Sequence, residues 1–314
     1  MRTDHELEFE WQGLTLTGTL SLPDGEGPHP VVVMMQGSGS ADRHCDGYFA
    51  PIRDAFLARG LATYAFDKPG CGRSSGDWRD HPLMARADQT EAAIAALRAG
   101  SAVDPGRVGV WGQSQGGWMA QILATRDLDL AFAIANSGPS IGVVEQNLYA
   151  VEHTMDDAGR PEIEITEALA FLDRVHEAAA AGRDAVAIER DLLDPVRDTA
   201  WYRAQYEGAT SADWAFLWRL IEEDYRPLEA LGQIDRSFLA IYGGADLLVP
   251  AWRGAEETGR ALQAGGTSDA AVLVFPGADH RIKDPDTDRF AAGYLDLLGE
   301  WAAARLSEAA TEPD

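Results

Sequence analysis

Residues 7–22, LEFEWQGLTLTGTLSL, place apolar side chains at about every second position on either side of a Gln-Gly pair. Period two is the repeat of a strand with one wet face, and Gln12-Gly13 supplies a turn, so the stretch predicts an antiparallel hairpin. Beyond it the pattern changes. PVVVMM at 30–35 is an unbroken apolar run, as expected of a strand covered on both faces. LATYAF (61–66), RVGVWG (107–112), LAFAIA (130–135), SFLAIY (237–242) and AVLVF (271–275) repeat it. Between these runs, segments 47–59, 80–99, 115–125, 251–264 and 287–306 carry apolar residues at helical spacing. Eight strands alternating with helices predict an α/β chain. Its sheet is mostly parallel, flanked by helices on both faces, with the hairpin as its antiparallel edge.

The alternation stops between about 141 and 234. PEIEITEALAFLDRVHEAAAAG, the stretch through ERDLLDPVRDTAWYRAQY, and SADWAFLWRLIEED all read as helices. This predicts a helical lid inserted after the sixth strand. The chain then divides into a first part of the sheet core (1–140), the lid (141–234) and a second part of the core (235–314). The window 201–225 holds seven aromatic residues in a chain whose aromatic share is 9%. Two readings stand side by side. One is a small core that holds the lid together; the other is an apolar substrate pocket lined by Trp201, Tyr202, Trp214 and Trp218. Glu145, Gln146, Asp156 and Asp157 open the lid. They read either as contacts for a polar or cationic substrate group or as a solvated face.

The candidate chemistry begins at GVWGQSQGGW, residues 109–118. RVGVWG is a strand and QGGWMAQILA starts a helix, so Ser114 lies on the turn between them. A strand that reverses sharply into a helix strains its turn residue, and Gly112 and Gly116 remove the Cβ atoms that would clash. The hydroxyl is then exposed at the carboxyl end of a parallel strand, beside the free N–H groups of a helix start. Serine needs a base, and the base needs an orienting acid. In this setting both follow the nucleophile along the chain. Asp246 stands just past the strand 237–242 and His280 just past 271–275. Asp279 adjoins His280 and would point away from it, and Asp269 precedes its strand. The other six histidines come too early in the chain. Donors for an oxyanion are expected from the backbone N–H of Gln115 and from that of Ser38, with Gly37 adjacent, in the loop QGSGSADR.

Composition narrows the partners. A formal net charge of −25, from 51 acidic and 26 basic residues, repels phosphate backbones and anionic lipid. Cys45 and Cys71 lack CxxC spacing or a His/Cys cluster, so no metal site is expected, and a reduced compartment is. No apolar run is long enough for a signal peptide or a membrane span, so the expected location is the cytoplasm. The C-terminal SEAATEPD is the one stretch expected to be disordered.

Together these residues resemble the α/β hydrolases, in particular the branch of dienelactone-hydrolase-like and serine-aminopeptidase-like proteins with bacterial esterases. The resemblance is carried by QGSG at 36–39, FDKPGCGRSSGDW at 66–78, GVWGQSQGGW, ANSGPS at 135–140, GGADLLVP at 243–250 and GADH at 277–280. It implies an α/β-hydrolase fold and a serine carboxylesterase-type enzyme. That enzyme would act on a small-molecule ester through an acyl-enzyme and need no cofactor. Asp67, Arg73 and Ser74 match a loop that braces the active-site floor. Gln36 stands where the family usually has histidine, and it would hydrogen-bond the loop or a substrate. Gln113 stands where histidine or phenylalanine often precedes the nucleophile. The dienelactone hydrolases proper use cysteine, so their lactone substrate does not carry over. The lid's size leaves open a bulky or macrocyclic natural-product ester. Thioesterase, lactonase, amidase, peptidase and acyltransferase chemistry on the same triad also stay open, as does a non-hydrolytic ligand-binding role.

Overall fold

A computed structural model describes residues 2–308 of the chain; of SEAATEPD, Ser307 and Glu308 close the last helix and 309–314 lie outside the described residues. The hairpin pairs β1 (Thr3–Trp11) with β2 (Leu14–Leu22). Gln12 and Gly13 at its tip both have positive φ, 46° and 82°, the turn whose twist matches that of the strands. β3 (His29–Met35), β4 (Ala62–Phe66), β5 (Val103–Gln113), β6 (Phe132–Asn136), β7 (Ser237–Gly243) and β8 (Ala270–Phe275) complete one sheet. Its order is β1-β2-β4-β3-β5-β6-β7-β8. β2 is antiparallel to both its neighbours, and every pair from β4 to β8 is parallel.

Helices α1 (Phe49–Leu57), α2 (Leu83–Ala99) and α3 (Gln115–Ala124) alternate with the strands. Between β6 and β7 the chain runs through α4 (Val143–Asp157), α5 (Glu162–Ala180), α6 (Ala185–Ile188), α7 (Ala200–Tyr206), α8 (Ser211–Glu222) and α9 (Pro227–Leu231). It returns through α10 (Ala251–Gly265) and ends in α11 (Tyr294–Glu308).

Several boundaries differ from the pattern. α2 starts at Leu83 rather than 80, because Pro82 fits only at the helix entrance. α11 starts at Tyr294 rather than 287. Lys283–Asp284 and Arg289–Phe290 pair instead as a short ribbon, β9 and β10, and Gly293 at φ 82° breaks any earlier helix. The stretch from 185 to 206 is not one helix. It passes through a wide π turn at Glu189–Leu193 and a tight one at Asp194–Val196, where Pro195 offers no N–H to an α ladder. α4 was not legible. It has no side-chain cap, and Asn147 interrupts the row Val143, Val151, Met155 that it buries.

Alternate residues of the central strands feed two cores. Val31, Val33 and Met35 pack with α2, α3, α10 and the inserted helices. Val32 and Met34 pack with α1 and α11. The insertion has its own aromatic centre: Phe171 of α5 lies 5.3 Å from Trp201 and 5.9 Å from Trp214 between ring centroids, and Tyr206 lies 5.0 Å from Trp214. Several contacts fasten it to the sheet layer. Phe216 packs edge-on against Trp78 at 4.8 Å, Tyr225 donates to Gln121, and Asp213 pairs with Arg79. A further tie comes from Glu223, whose carboxylate accepts the free N–H groups of Leu83 and Met84 at the start of α2.

His176 of α5 is buried, and neither ring nitrogen has a partner among the described residues. Burial lowers its pKa to about 4, with Asp173 opposing. The unfolded chain takes up this proton near pH 6.5 and the folded one only near pH 4. Stability is therefore lost as pH falls across that window, by roughly 3 kcal/mol in total. We expect urea unfolding of the wild type to shift to lower denaturant between pH 7 and pH 4.5. His176→Leu should lose most of that shift. Equal pH dependence in both proteins would count against this account.

Candidate active site

β5 ends at Gln113 and α3 begins at Gln115, so Ser114 alone makes the turn. Its backbone sits at φ 58°, ψ −119°, outside the regions that side chains ordinarily allow. The packing forces this. A Cβ on Gly112 would lie 1.9 Å from the carbonyl oxygen of Gly116, and one on Gly116 would lie 2.4 Å from that of Met35. The serine N–H donates to Asn136 O at 2.8 Å, and Gly117 N–H donates to Ser114 O at 2.7 Å. The turn is thus tied to the end of β6 and to its own helix.

The strand ends are in register: Gln113 is opposite Asn136, and Asn136 is opposite Ile241. The loops after β5, β6 and β7 therefore leave the same edge of the sheet. The loops after β7 and β8 interlock. A Cβ on Gly243 would meet Asp279 O at 2.0 Å, and Gly244 N–H donates to Phe275 O at 2.8 Å. That contact brings Asp246 to His280. Asp246 Oδ2 lies 2.7 Å from His280 Nδ1, while Oδ1 accepts the N–H groups of Leu248 and Val249 at 2.7 and 3.1 Å. The carboxylate is wholly buried and the imidazole nearly so. His280 Nε2 is buried without a partner among the described residues, so no hydrogen bond joins it to Ser114 in this state. Asp279 instead accepts the N–H groups of Arg281 and Lys283, and Asp269 pairs with Arg305.

The loop after β3 reaches the same edge. The position a Gly37 Cβ would take is 3.1 Å from Ser114 Cβ, which puts Gly37 against the Ser114 turn. Gly37 is buried and Ser38 exposed. Gln36 is committed to the loop: its amide donates to Phe66 O at 2.6 Å and to Asp42 O at 3.2 Å. Asp67 accepts from the Arg43 guanidinium and from the N–H groups of Arg43 and Arg73. The Ser74 hydroxyl donates to Asp67 O.

Two side chains here had escaped the sequence reading. Lys68 is buried, and its amine donates to the carbonyls of Gly37 and Gly39. Burial, with Arg86 adding to it, holds its pKa well below the usual lysine range. Arg86, equally buried, donates to Gln36 O at 3.0 Å, to Gly37 O at 3.3 Å and to the side chain of Gln115. Burial brings its pKa down to about 10. A lysine in FDKPG and an arginine in a polar helix carry no sequence mark of burial; the fold alone supplies it.

The insertion touches the site from two sides. Gln146 of α4 donates to Leu248 O at 3.0 Å, and the Tyr149 hydroxyl reaches Asp246 O at 3.4 Å, so α4 braces the loop that carries Asp246. Glu145 pairs with Arg253 instead, and Asp156 and Asp157 are exposed. Trp201, Tyr202, Trp214 and Trp218 are all buried within the insertion. Tyr202 Oη, Trp214 Nε1 and Trp218 Nε1 have no partner among the described residues. Trp118 donates to Pro139 O and belongs to the core under the turn. Cys45 and Cys71 are free thiols, and no described helix is long and apolar enough to cross a membrane.

Known proteins are similar to this chain. The pattern of the alpha/beta hydrolase family matches residues 32–292. The quorum-quenching protein AidA of Acinetobacter baumannii is 31% identical over 131 residues, 41% of this chain and 42% of that protein. The 2,6-dihydropseudooxynicotine hydrolase of Paenarthrobacter nicotinovorans is 31% identical over 140 residues, 43% and 34% of the two chains. The matched stretch thus spans well under half the length of these curated relatives. Among solved structures, DcsB in complex with its substrate analogue superposes with a TM-score of 0.66 at 15% identity, covering 99% of this chain and 100% of that one. The Pyrococcus furiosus esterase Pf2001 gives 0.62 at 15%, over 98% and 92%. At such identity the likeness is one of fold. By the extent of the matched pattern, the chain belongs to the alpha/beta hydrolase family.

Proposed function

We propose that the protein is a serine hydrolase that cleaves carboxylic esters through an acyl-enzyme. Ser114 Oγ attacks the ester carbonyl, and His280 Nε2 takes its proton and returns it to the leaving alkoxide. Water, deprotonated by the same nitrogen, then frees the acid. Asp246 fixes the imidazole through Nδ1 so that Nε2 is the working edge. The N–H groups of Ser38 and Gln115 hold the oxyanion.

One observation carries this reading. A buried carboxylate grips Nδ1 of an imidazole whose Nε2 is buried and unpartnered. With Nδ1 held by the carboxylate, Nε2 is the ring nitrogen left free to take the serine proton. The strained Ser114 backbone at the same sheet edge, and the glycine peptide held against it, support the assignment. Esterases among the similar proteins, FrsA of Enterobacter and Pf2001, favour an oxygen ester. The inserted helices serve as a lid, and Trp201, Tyr202, Trp214 and Trp218, buried inside them, make up the core that holds the lid together.

A fluorophosphonate probe should label the wild type once, at Ser114, and leave Ser114→Ala unlabelled. An unlabelled wild type would overturn the assignment. Asp246→Asn should keep the fold and lower kcat by about 10³–10⁴-fold, because the imidazole loses its orienting carboxylate.

A further inference from the structure

Lys68 and Arg86 converge on one peptide group. The Gly37 carbonyl accepts from both, and the flanking carbonyls of Gly39 and Gln36 each take one more of their hydrogens. No described ion pair links either residue to a carboxylate, although buried cations ordinarily have one. Instead their hydrogens are spent on main chain and on the Gln115 side chain.

In a planar trans peptide the C=O and the next N–H point in opposite directions. Gly37 O and Ser38 N–H belong to the same peptide. Anchoring the carbonyl on the side of Lys68 and Arg86 therefore turns the Ser38 N–H the other way. Without these donors, glycine at 37 would leave that peptide free to rotate. Arg86 also bonds the side chain of Gln115, whose N–H is the second oxyanion donor in our reading.

We propose that Lys68 and Arg86 are positioning residues that lock the Gly37–Ser38 peptide in the orientation that binds an oxyanion. The inference rests on the serine-hydrolase reading above. Lys68 serves in either protonation state, since its nitrogen has hydrogens for both carbonyls. The Arg86 guanidinium further polarises the peptide, and the charge that answers it is the one developing on the substrate oxygen in the transition state.

The test compares wild type, Lys68→Met and Arg86→Lys on a short p-nitrophenyl ester and against a trifluoromethyl ketone. Serine adds to that ketone to give a stable oxyanion. Lys68→Met should lower kcat by about 10- to 100-fold while KM stays within about twofold, and weaken the ketone by the same factor as kcat. Thermal melting should move by only a few degrees, about the scale of 1 kcal/mol. If Lys68→Met does not fold, Arg86→Lys, which retains a cation but cannot span the same acceptors, decides by the same criteria. Labelled wild type with variants whose kcat and ketone affinity are unmoved overturns this inference alone. So does a folded variant in which KM and kcat deteriorate together with melting temperature, since that is a structural role. A wild type that the fluorophosphonate does not label overturns the hydrolase reading, and this inference with it.

Discussion

The site depends on backbone touching backbone at the carboxyl edge of the sheet. Gly116 lies so close to the end of β3 that no Cβ fits, and Gly112 is equally close to Gly116. These contacts leave Ser114 no ordinary conformation. Its positive φ is a strain of about 1–3 kcal/mol that the surrounding structure must overdetermine. The hydrogen bonds from Ser114 N–H to Asn136 and from Gly117 N–H to Ser114 do so locally. The same economy of side chains recurs where Gly243 and Gly244 press on the Pro276–Asp279 loop, and there it sets the separation of Asp246 from His280. Two distant pieces of chain are thus placed by contacts that only glycine permits.

Much of this was legible because it is written in local chemistry. Buried parallel strands are apolar runs, so the sheet appeared as a series of them. The turn residues then fell at strand ends, where a functional side chain must stand. Asp246 and His280 are on adjacent loops for that reason, and the structure brings them together. What escaped was set by tertiary contact. Lys68 lies in a glycine-rich loop in which the sequence marks Asp67, Arg73 and Ser74 but not the lysine, and its burial comes from the β3 loop folding over it. α4 hides because its buried face is short and interrupted. Its contact with the acid loop uses Gln146 and Tyr149, residue types common on any surface.

Charge is distributed with a purpose that the net value conceals. The chain is strongly acidic, yet beneath the β3 loop two basic side chains are buried facing main-chain carbonyls. Nearby, Asp67 carries the opposite charge but is saturated by Arg43 and by backbone N–H groups, so it is not their counterion. Burying charge against dipoles alone is unfavourable in a resting protein. In the hydrolase reading proposed above, these cations would answer the negative charge that forms on the substrate oxygen. An acidic exterior and a locally basic floor are therefore compatible, because solvent screens the first and not the second.

The inserted helices complete the constraint. α4 holds the acid loop through Leu248 and Asp246, while α8 holds the opposite side through Phe216 on Trp78 and Glu223 on the start of α2. Arg86 lies within the first turn of that helix, two residues beyond Met84, whose N–H Glu223 accepts. Displacing α8 would strip α2 of its cap and loosen the element that carries Arg86. Displacing α4 would free the loop that orients Asp246. Because each side of the site is fastened to a different inserted helix, the insertion cannot shift as a body without acting on the Asp246 loop and on the start of α2 together. In the reading proposed above, that joins access to the site with the geometry of its reacting groups.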